Sequence, residues 1–173
     1  MRVSPADDAP DARPFFARLI PGGNLAGSLY GTVLVTSVLV AFASFEDVGY
    51  VIAAVLITTS VFALAHAWAH ALARSGAARA PLDRHALLSS IGHEFPIVQA
   101  ALPAAVVLLL AALDVYSVGT ALWIAVLVNV ALLFIWGAGL RQLAGGTGLQ
   151  VLGGGLASAS LGLVLVALKV LVH

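Results

Sequence analysis

The sequence predicts an all-α protein, a polytopic membrane bundle of five transmembrane helices. Hydrophobic residues make up 61% of the 173 residues and charged residues only 9%, and the mean hydropathy is +1.07. A soluble domain needs far fewer apolar residues to fill one core. The apolar residues are also collected into five long runs, each close to the ~20 residues that a helix needs to cross the hydrocarbon of a bilayer.

The first 22 residues are predicted to form a largely disordered cytoplasmic tail, ahead of a transmembrane domain over residues 23–173. The tail carries four prolines, three aspartates and three arginines, a composition too polar and too often broken by proline for a stable helix. The first apolar run begins late and is long enough to stay in the membrane, so we expect no cleaved signal peptide.

The five apolar runs predict transmembrane helices at about 25–45, 48–73, 95–113, 118–140 and 149–172. Pro81 and the leucines that follow it predict a short amphipathic helix at the cytoplasmic interface near 81–92. Gly92 is expected to end this short helix, Pro96 to lie in the first turn of the third crossing, and Pro103 to kink that crossing.

The charged side chains predict how the helices are oriented. Five crossings place the two termini on opposite sides of the membrane. Loops on one side hold most of the basic residues, which are Arg2, Arg13, Arg18, Arg74, Arg79, Arg84 and Arg141. The opposite side holds Glu46, Asp47, Asp114 and Lys169. The positive-inside rule therefore predicts a multi-pass protein of the cell membrane with its N-terminus in the cytoplasm and its C-terminus outside.

Small and polar residues within the runs predict where helices pack. Gly27 and Gly31 form a GlyXXXGly pair. In the last run, glycines at 153–155 and at 162 leave part of the predicted helix without side chains. Such residues let neighbouring helices approach closely. The hydroxyl and amide side chains of the runs are expected to hydrogen-bond between helices or to line a wet cavity; they include Thr32, Thr36, Thr59 and Asn129.

The composition excludes several classes of chemistry. The chain has no cysteine, which removes disulfides, thiolate metal sites and cysteine nucleophiles. Eight basic and eight acidic side chains balance, so we expect no nucleic-acid partner. Five histidines are too few for the histidine boxes of membrane di-iron desaturases, and no serine, histidine and acid set lies at membrane depth. We therefore predict that the protein is not an enzyme.

His66 and His70 are the strongest candidates for a functional site, because ionisable groups within a membrane helix are rare. Their spacing places both on one helical face. Thr59, Ala63, His66, His70 and Ala73 fall along one stripe, which we expect to face protein. Both histidines are then predicted to point into the bundle. Arg74 marks the cytoplasmic boundary, so His70 lies about one turn inside it and His66 about two turns.

His93 and Glu94 begin the next crossing at the same level, because a cytoplasmic hairpin joins the two helices. The predicted cluster of His66, His70, His93 and Glu94 offers three imidazoles and a carboxylate. This ligand set suits zinc, iron, manganese or nickel. Two other interpretations stay open: the cluster relays protons, since imidazole titrates near neutral pH, or its histidines only cross-link helices by hydrogen bonds.

Parts of the chain resemble the vacuolar iron transporter family. Tyr30 and Gly31 open a Thr-Val-Leu-Val-Thr run at 32–36 that is similar to the start of that family's first helix. The stretch 133–141, a glycine-rich turn and the Gly-Gly-Gly-Leu-Ala-Ser-Ala run at 153–159 are similar to its fourth and fifth helices. The resemblance implies a five-helix bundle that forms a homodimer.

The chain departs from that family at its metal-binding residues. The family's first helix has an acid after the Tyr-Gly pair, and here no acid appears before Glu46. The run 65–73 looks like the end of the family's second helix with histidines in place of methionine and glutamate, and the family's glutamate-rich cytoplasmic helices are missing.

The sequence thus predicts a membrane protein that moves a divalent metal cation along a path through the histidine cluster. The alternatives are a proton-conducting channel and a non-catalytic bundle that binds a partner protein. Its predicted surroundings are the lipid bilayer and a second copy of the chain.

Overall fold

The computed structural model describes residues 24–79 and 81–172, and these residues form six helices. They are α1 (Leu25–Ala41), α2 (Val48–Ala78), α3 (Arg84–Gln99), α4 (Leu102–Ala112), α5 (Val118–Leu143) and α6 (Gly148–Val172). The prediction of an all-α fold is therefore confirmed for the described part of the chain. The predicted tail, residues 1–22, lies outside it.

Three helices are long and apolar enough to cross a membrane. These spans are Val48–Ala77 in α2, Val118–Leu143 in α5 and Gly148–Leu171 in α6, and α3 with α4 provides a fourth if this bent pair is one span. Their length and composition indicate a membrane protein. The remaining predicted crossing forms α1, which has 17 residues and is therefore only ~26 Å long, against ~30 Å of hydrocarbon.

The polypeptide between α2 and α4 differs from the prediction. Instead of a short helix that ends at Gly92, one helix runs from Arg84 through Gly92 and Pro96 to Gln99. The chain then breaks, and α4 lies at 47° to α3. Pro103 lies in the first turn of α4 and has no N–H to donate to the carbonyl of Gln99, so the break falls where a proline must interrupt the helical hydrogen bonds. The kink at Pro103 is confirmed. The helix end at Gly92 and the position of Pro96 in a first turn are wrong, because α3 runs through both residues.

The buried stripe of α2 also differs from the predicted one. Thr59 and Ala63 are buried as expected, but His66 is half-buried, and His70 and Ala73 are exposed. The residues of α2 that are buried recur every fourth position: Val51, Val55, Thr59, Ala63, Ala67 and Ala71. Alanine is small enough to let α3 approach α2 closely, whereas an imidazole is too large for that line of contact. The histidines therefore lie beside the packing surface rather than in it.

Glycine allows the closest helix contacts. A Cβ atom at Gly31 of α1 would lie 2.7 Å from the backbone oxygen of Ile97 in α3, closer than real Cβ atoms come. In the α5–α6 hairpin, a Cβ at Gly137 would meet the backbone of Gly154. Gly27 has a different role from the predicted one, because the nearest atoms to a Cβ there belong to Asn24 of its own helix cap.

The main apolar core lies towards the end of the bundle where α1 ends and α2 begins. It includes Val35 and Leu39 of α1, Val51 and Val55 of α2, and residues of α4 and α5. His70 follows Val55 by 15 residues, which is ~22 Å further along α2. The histidines thus lie at the opposite end of the bundle, where α1 starts, α2 ends and α3 packs against both.

Candidate metal centre

Glu94 is a carboxylate that α3 buries against α2. Its side chain is 3% exposed, and its Oε1 lies 2.6 Å from Nδ1 of His70 and 3.1 Å from Nδ1 of His93. A buried carboxylate without a partner is unstable by several kcal/mol. Within the described residues the ion-pair partners of Glu94 are these two imidazoles, so the charge of the carboxylate is balanced by whatever proton or cation they hold.

The register of the α2–α3 hairpin brings these groups together. Arg74 donates from Nη2 to Oγ of Ser90 at 2.5 Å and to the carbonyl of Ala86 at 3.3 Å. Arg74 follows His70 by one turn of α2, and Ser90 precedes Glu94 by one turn of α3. Because the two helices are antiparallel, the contact between Arg74 and Ser90 places His70 opposite Glu94.

The start of α1 completes the surroundings of His93. Asn24 caps α1, since its Oδ1 accepts from the N–H of Gly27 at 2.8 Å. Its Nδ2 lies 3.1 Å from the carbonyl oxygen of His93 and 3.3 Å from Nδ1 of the same residue. The ring of His93 also faces the ring of His70 at a centroid distance of 5.9 Å. Three helices therefore meet at this one site.

The site can hold a metal ion. One ligand atom each from His70, His93 and Glu94 lie within 4.8 Å of one another. The side chains of both histidines are 55% exposed, and they line a cleft of ≈ 620 Å³ between α2 and α3 together with Arg74 and Ser89. The site thus combines a buried anionic ligand with two accessible neutral ones, which leaves an open side for an ion to enter.

The same contacts can hold a proton. The 2.6 Å distance between Nδ1 of His70 and Oε1 of Glu94 is that of a hydrogen bond in which the imidazole N–H donates to the carboxylate. Nδ1 of His93 lies near a donor, Asn24, and an acceptor, Glu94. It accepts from the amide when it lacks a hydrogen and donates to the carboxylate when it carries one.

The fourth predicted ligand, His66, lies apart from this group. Its Nδ1 is 3.1 Å from the carbonyl oxygen of Phe62, and its ring is 5.0 Å from the ring of Tyr30, measured between centroids. The structure therefore brings three of the four predicted residues together and leaves His66 one turn away along α2.

Three residues of the site were not predicted: Asn24, Arg74 and Ser90. Arg74 was interpreted only as a marker of the membrane boundary. Asn24 had a signal, because an asparagine directly before the first apolar run is a typical helix N-cap. Ser90 precedes Glu94 by four residues, which places both on one face of α3.

The polar residues of the apolar helices bond differently from the predicted contacts between helices. Thr32, Thr36 and Thr59 are buried, and each hydroxyl donates to a carbonyl one turn earlier in its own helix. Asn129 of α5 is also buried and donates to the carbonyl of Ala125 at 2.8 Å, whereas its Oδ1 has no hydrogen-bond partner among the described residues. Hydroxyls that bond within their own helix leave the helix contacts to apolar packing.

Comparison with known proteins gives no relative on which to base a function. Metal binding at His70, His93 and Glu94 and the resemblance to the vacuolar iron transporters thus stay predictions. No family model, curated protein or solved structure matches this chain.

Proposed function

We propose that this chain is a multi-pass protein of the cell membrane that binds a divalent metal cation at His70, His93 and Glu94 and carries it across the bilayer. The observation behind the proposal is the carboxylate of Glu94, buried between helices with two imidazoles as its ionic partners. A buried carboxylate needs a cation or a proton beside it. Imidazole nitrogens next to a carboxylate form a ligand set that first-row transition metals prefer.

The ligand set favours zinc, iron, manganese or nickel over calcium and magnesium, which prefer all-oxygen sites. Zinc bonds of ~2.0–2.2 Å place two tetrahedral ligand atoms ~3.4 Å apart, and the candidate ligand atoms here lie within 4.8 Å of one another. Small rotations of the two exposed imidazoles bring the ligand atoms to this shorter separation. Glu94 then ligates the ion directly, or it orients His70 through Nδ1 while Nε2 of that ring ligates.

The proposed topology has five crossings, made by α1, α2, the bent α3–α4 pair, α5 and α6. The N-terminus and the helix ends that carry Arg74, Arg84 and Arg141 then face the cytoplasm, in accord with the positive-inside rule. The metal centre lies about one turn inside this boundary and opens to it through the cleft between α2 and α3. The resemblance to the vacuolar iron transporters adds the proposal that the protein is a homodimer.

Proton conduction is the second candidate, and the contact between His70 and Glu94 favours it. A hydrogen bond of 2.6 Å between an imidazole and a buried carboxylate joins two groups that can each carry the hydrogen between them. The two candidates differ in whether the site takes up a metal.

The first experiment is calorimetric titration of the detergent-purified protein with zinc, manganese, ferrous and nickel ions. The wild type is compared with Glu94→Gln and with the double variant His70→Gln, His93→Gln. His85→Gln is the matched control, because His85 is an exposed histidine of the same helix outside the three-residue group. We expect Glu94→Gln to weaken binding at least about tenfold, as loss of a metal ligand or its orienting partner does, and the control to bind as the wild type does.

Equal affinity in the wild type and the double variant contradicts the metal site. An ion that binds is then tested for flux into proteoliposomes, where Glu94→Gln is expected to lower the flux. If no ion binds and Glu94→Gln instead abolishes a proton current, the second candidate replaces the first.

A further inference from the structure

His66 lies one helical turn deeper in α2 than the metal centre. It precedes His70 by four residues, which is ~6 Å along the helix axis, on the side away from Arg74. Ala63 and Ala67 flank it and are buried, and His66 itself is half-buried. His66 is therefore the imidazole that an ion meets next if it leaves the metal centre towards the middle of the bundle.

A hydrogen bond fixes which ring nitrogen of His66 carries the hydrogen. Nδ1 lies 3.1 Å from the carbonyl oxygen of Phe62, and because a carbonyl can only accept, Nδ1 carries the hydrogen. In the neutral ring Nε2 then has a free lone pair. Over residues 24–79 and 81–172, Nε2 has no hydrogen-bond partner. A ring held through one nitrogen with the other left free is the usual arrangement of a metal-binding histidine.

The ring of Tyr30 in α1 packs against the ring of His66. The two centroids are 5.0 Å apart, and the ring of Phe62 lies 6.4 Å from that of Tyr30. An aromatic ring stabilises a cation within ~6 Å of its centroid. Tyr30 can therefore stabilise the positive charge that His66 acquires when it binds an ion.

We infer that His66 is a second binding station for the divalent cation, which passes to its Nε2 from His70, His93 and Glu94 and lies there beside the ring of Tyr30. This inference rests on the proposed function. The two stations differ in their affinity for the ion. The first has three ligands, one of them anionic, and binds the ion tightly, whereas the single imidazole of the second binds it weakly enough to release it onwards. Transport requires such a balance between entry and exit.

The test compares zinc affinity with zinc flux in the full-length protein. His66→Asn is the informative variant, because its amide can keep a hydrogen bond near Phe62 but has no group at the position of Nε2. We expect its zinc affinity to stay within about threefold of the wild type and its flux into proteoliposomes to fall at least about tenfold. Tyr30→Leu is expected to lower the flux, and Tyr30→Phe, which retains the ring, is expected to lower it less than Tyr30→Leu does.

The outcomes separate the inference from the proposed function. Flux within about twofold of the wild type in His66→Asn, a change no larger than neutral surface variants cause, overturns the second station and leaves the metal centre intact. An equal loss of affinity and flux also overturns it, because His66 then belongs to the first site. Absence of flux in the wild type for zinc and for every other ion that the protein binds contradicts the proposed function itself. Size-exclusion profiles show whether each variant is folded.

Discussion

Ser90 shows how a side chain outside the proposed metal site can position the residues of that site. It is fully buried and accepts a hydrogen bond from Arg74, and this contact sets the register that places His70 opposite Glu94. The positions of the ligands therefore depend on a contact one turn away from them.

Replacing Ser90 with alanine is expected to destabilise the protein and weaken metal binding together. The variant removes the acceptor of a charged donor, which costs about 1.5–3 kcal/mol, and it frees α3 to shift against α2. Thermal unfolding in detergent and zinc titration measure the two effects, with Ser160→Ala as the control, because Ser160 is an exposed serine of α6 that donates to the carbonyl of Ala157. Unchanged zinc affinity in a destabilised Ser90→Ala protein contradicts the role of this contact in the register.

The sequence was sufficient to predict the residue types of the site but not their final grouping. His93 and Glu94 are adjacent, and the hairpin brings them near the end of α2, so their meeting with His70 followed from topology. The i, i+4 spacing of His66 and His70 indicates a shared face, yet it does not tell which imidazole reaches α3. The contact between Arg74 and Ser90 decides this, and it is a tertiary interaction without a local sequence signal.

At the scale of the elements, glycines determine how close α1 and α3 can come. Gly31 is the point where α1 lies against the backbone of Ile97, and the same two helices share the contact of Asn24 with His93. Close packing at Gly31 therefore holds the start of α1 beside His93 and the proposed metal site.

The variant Gly31→Ala is expected to lower the free energy of unfolding by about 1–3 kcal/mol, since the added methyl group must push α1 and α3 apart. Gly153→Ala is the matched control, because a Cβ there meets nothing within 4 Å, and alanine favours a helix over glycine by about 1 kcal/mol. Both are measured by thermal unfolding in the same detergent. A Gly31→Ala protein as stable as the control contradicts the close approach.

Pro96, Pro103 and Gly92 in the α3–α4 pair show which breaks in a helix can be predicted from local sequence. Pro103 lies in the middle of an apolar run and has no N–H to donate, so a kink there was predictable. Gly92 only lowers helix propensity by ~1 kcal/mol, and the packing of α3 against α1 and α2 outweighs that amount. The break near Pro103 was thus predictable, whereas the continuation of α3 through Gly92 and Pro96 depends on tertiary packing and was not.

At the scale of the whole molecule, the number of crossings depends on α1. The apolar run at 25–45 predicted a full crossing, but the helix ends at Ala41. Phe42 and Phe45 pack with Tyr50 of α2 instead, with centroid distances of 4.8 to 5.6 Å. Hydropathy measures apolar residues whether they extend a helix or form an aromatic cluster at its end, so the length of the run overestimated the length of the helix.

Single cysteines test the topology directly, because the chain has none of its own. If α1 crosses the membrane, Ser4→Cys and Ala43→Cys lie on opposite sides. We expect a membrane-impermeant maleimide to label Ala43→Cys in intact cells, and to label Ser4→Cys and Ala144→Cys only after permeabilisation. Labelling of both Ser4→Cys and Ala43→Cys from outside contradicts a crossing by α1.

Asn24 belongs to two structures at once, since one end of its amide caps α1 and the other contacts His93. When Nδ1 of His93 takes up a proton or a metal, it can no longer accept from this amide, while the contact with the carbonyl oxygen of His93 remains. The loss amounts to about one hydrogen bond, or ~1 kcal/mol, a change of about fivefold in an equilibrium. Occupancy of the site can therefore bias the position of the first turn of α1 by a graded amount, but it is too weak to act as an all-or-none switch.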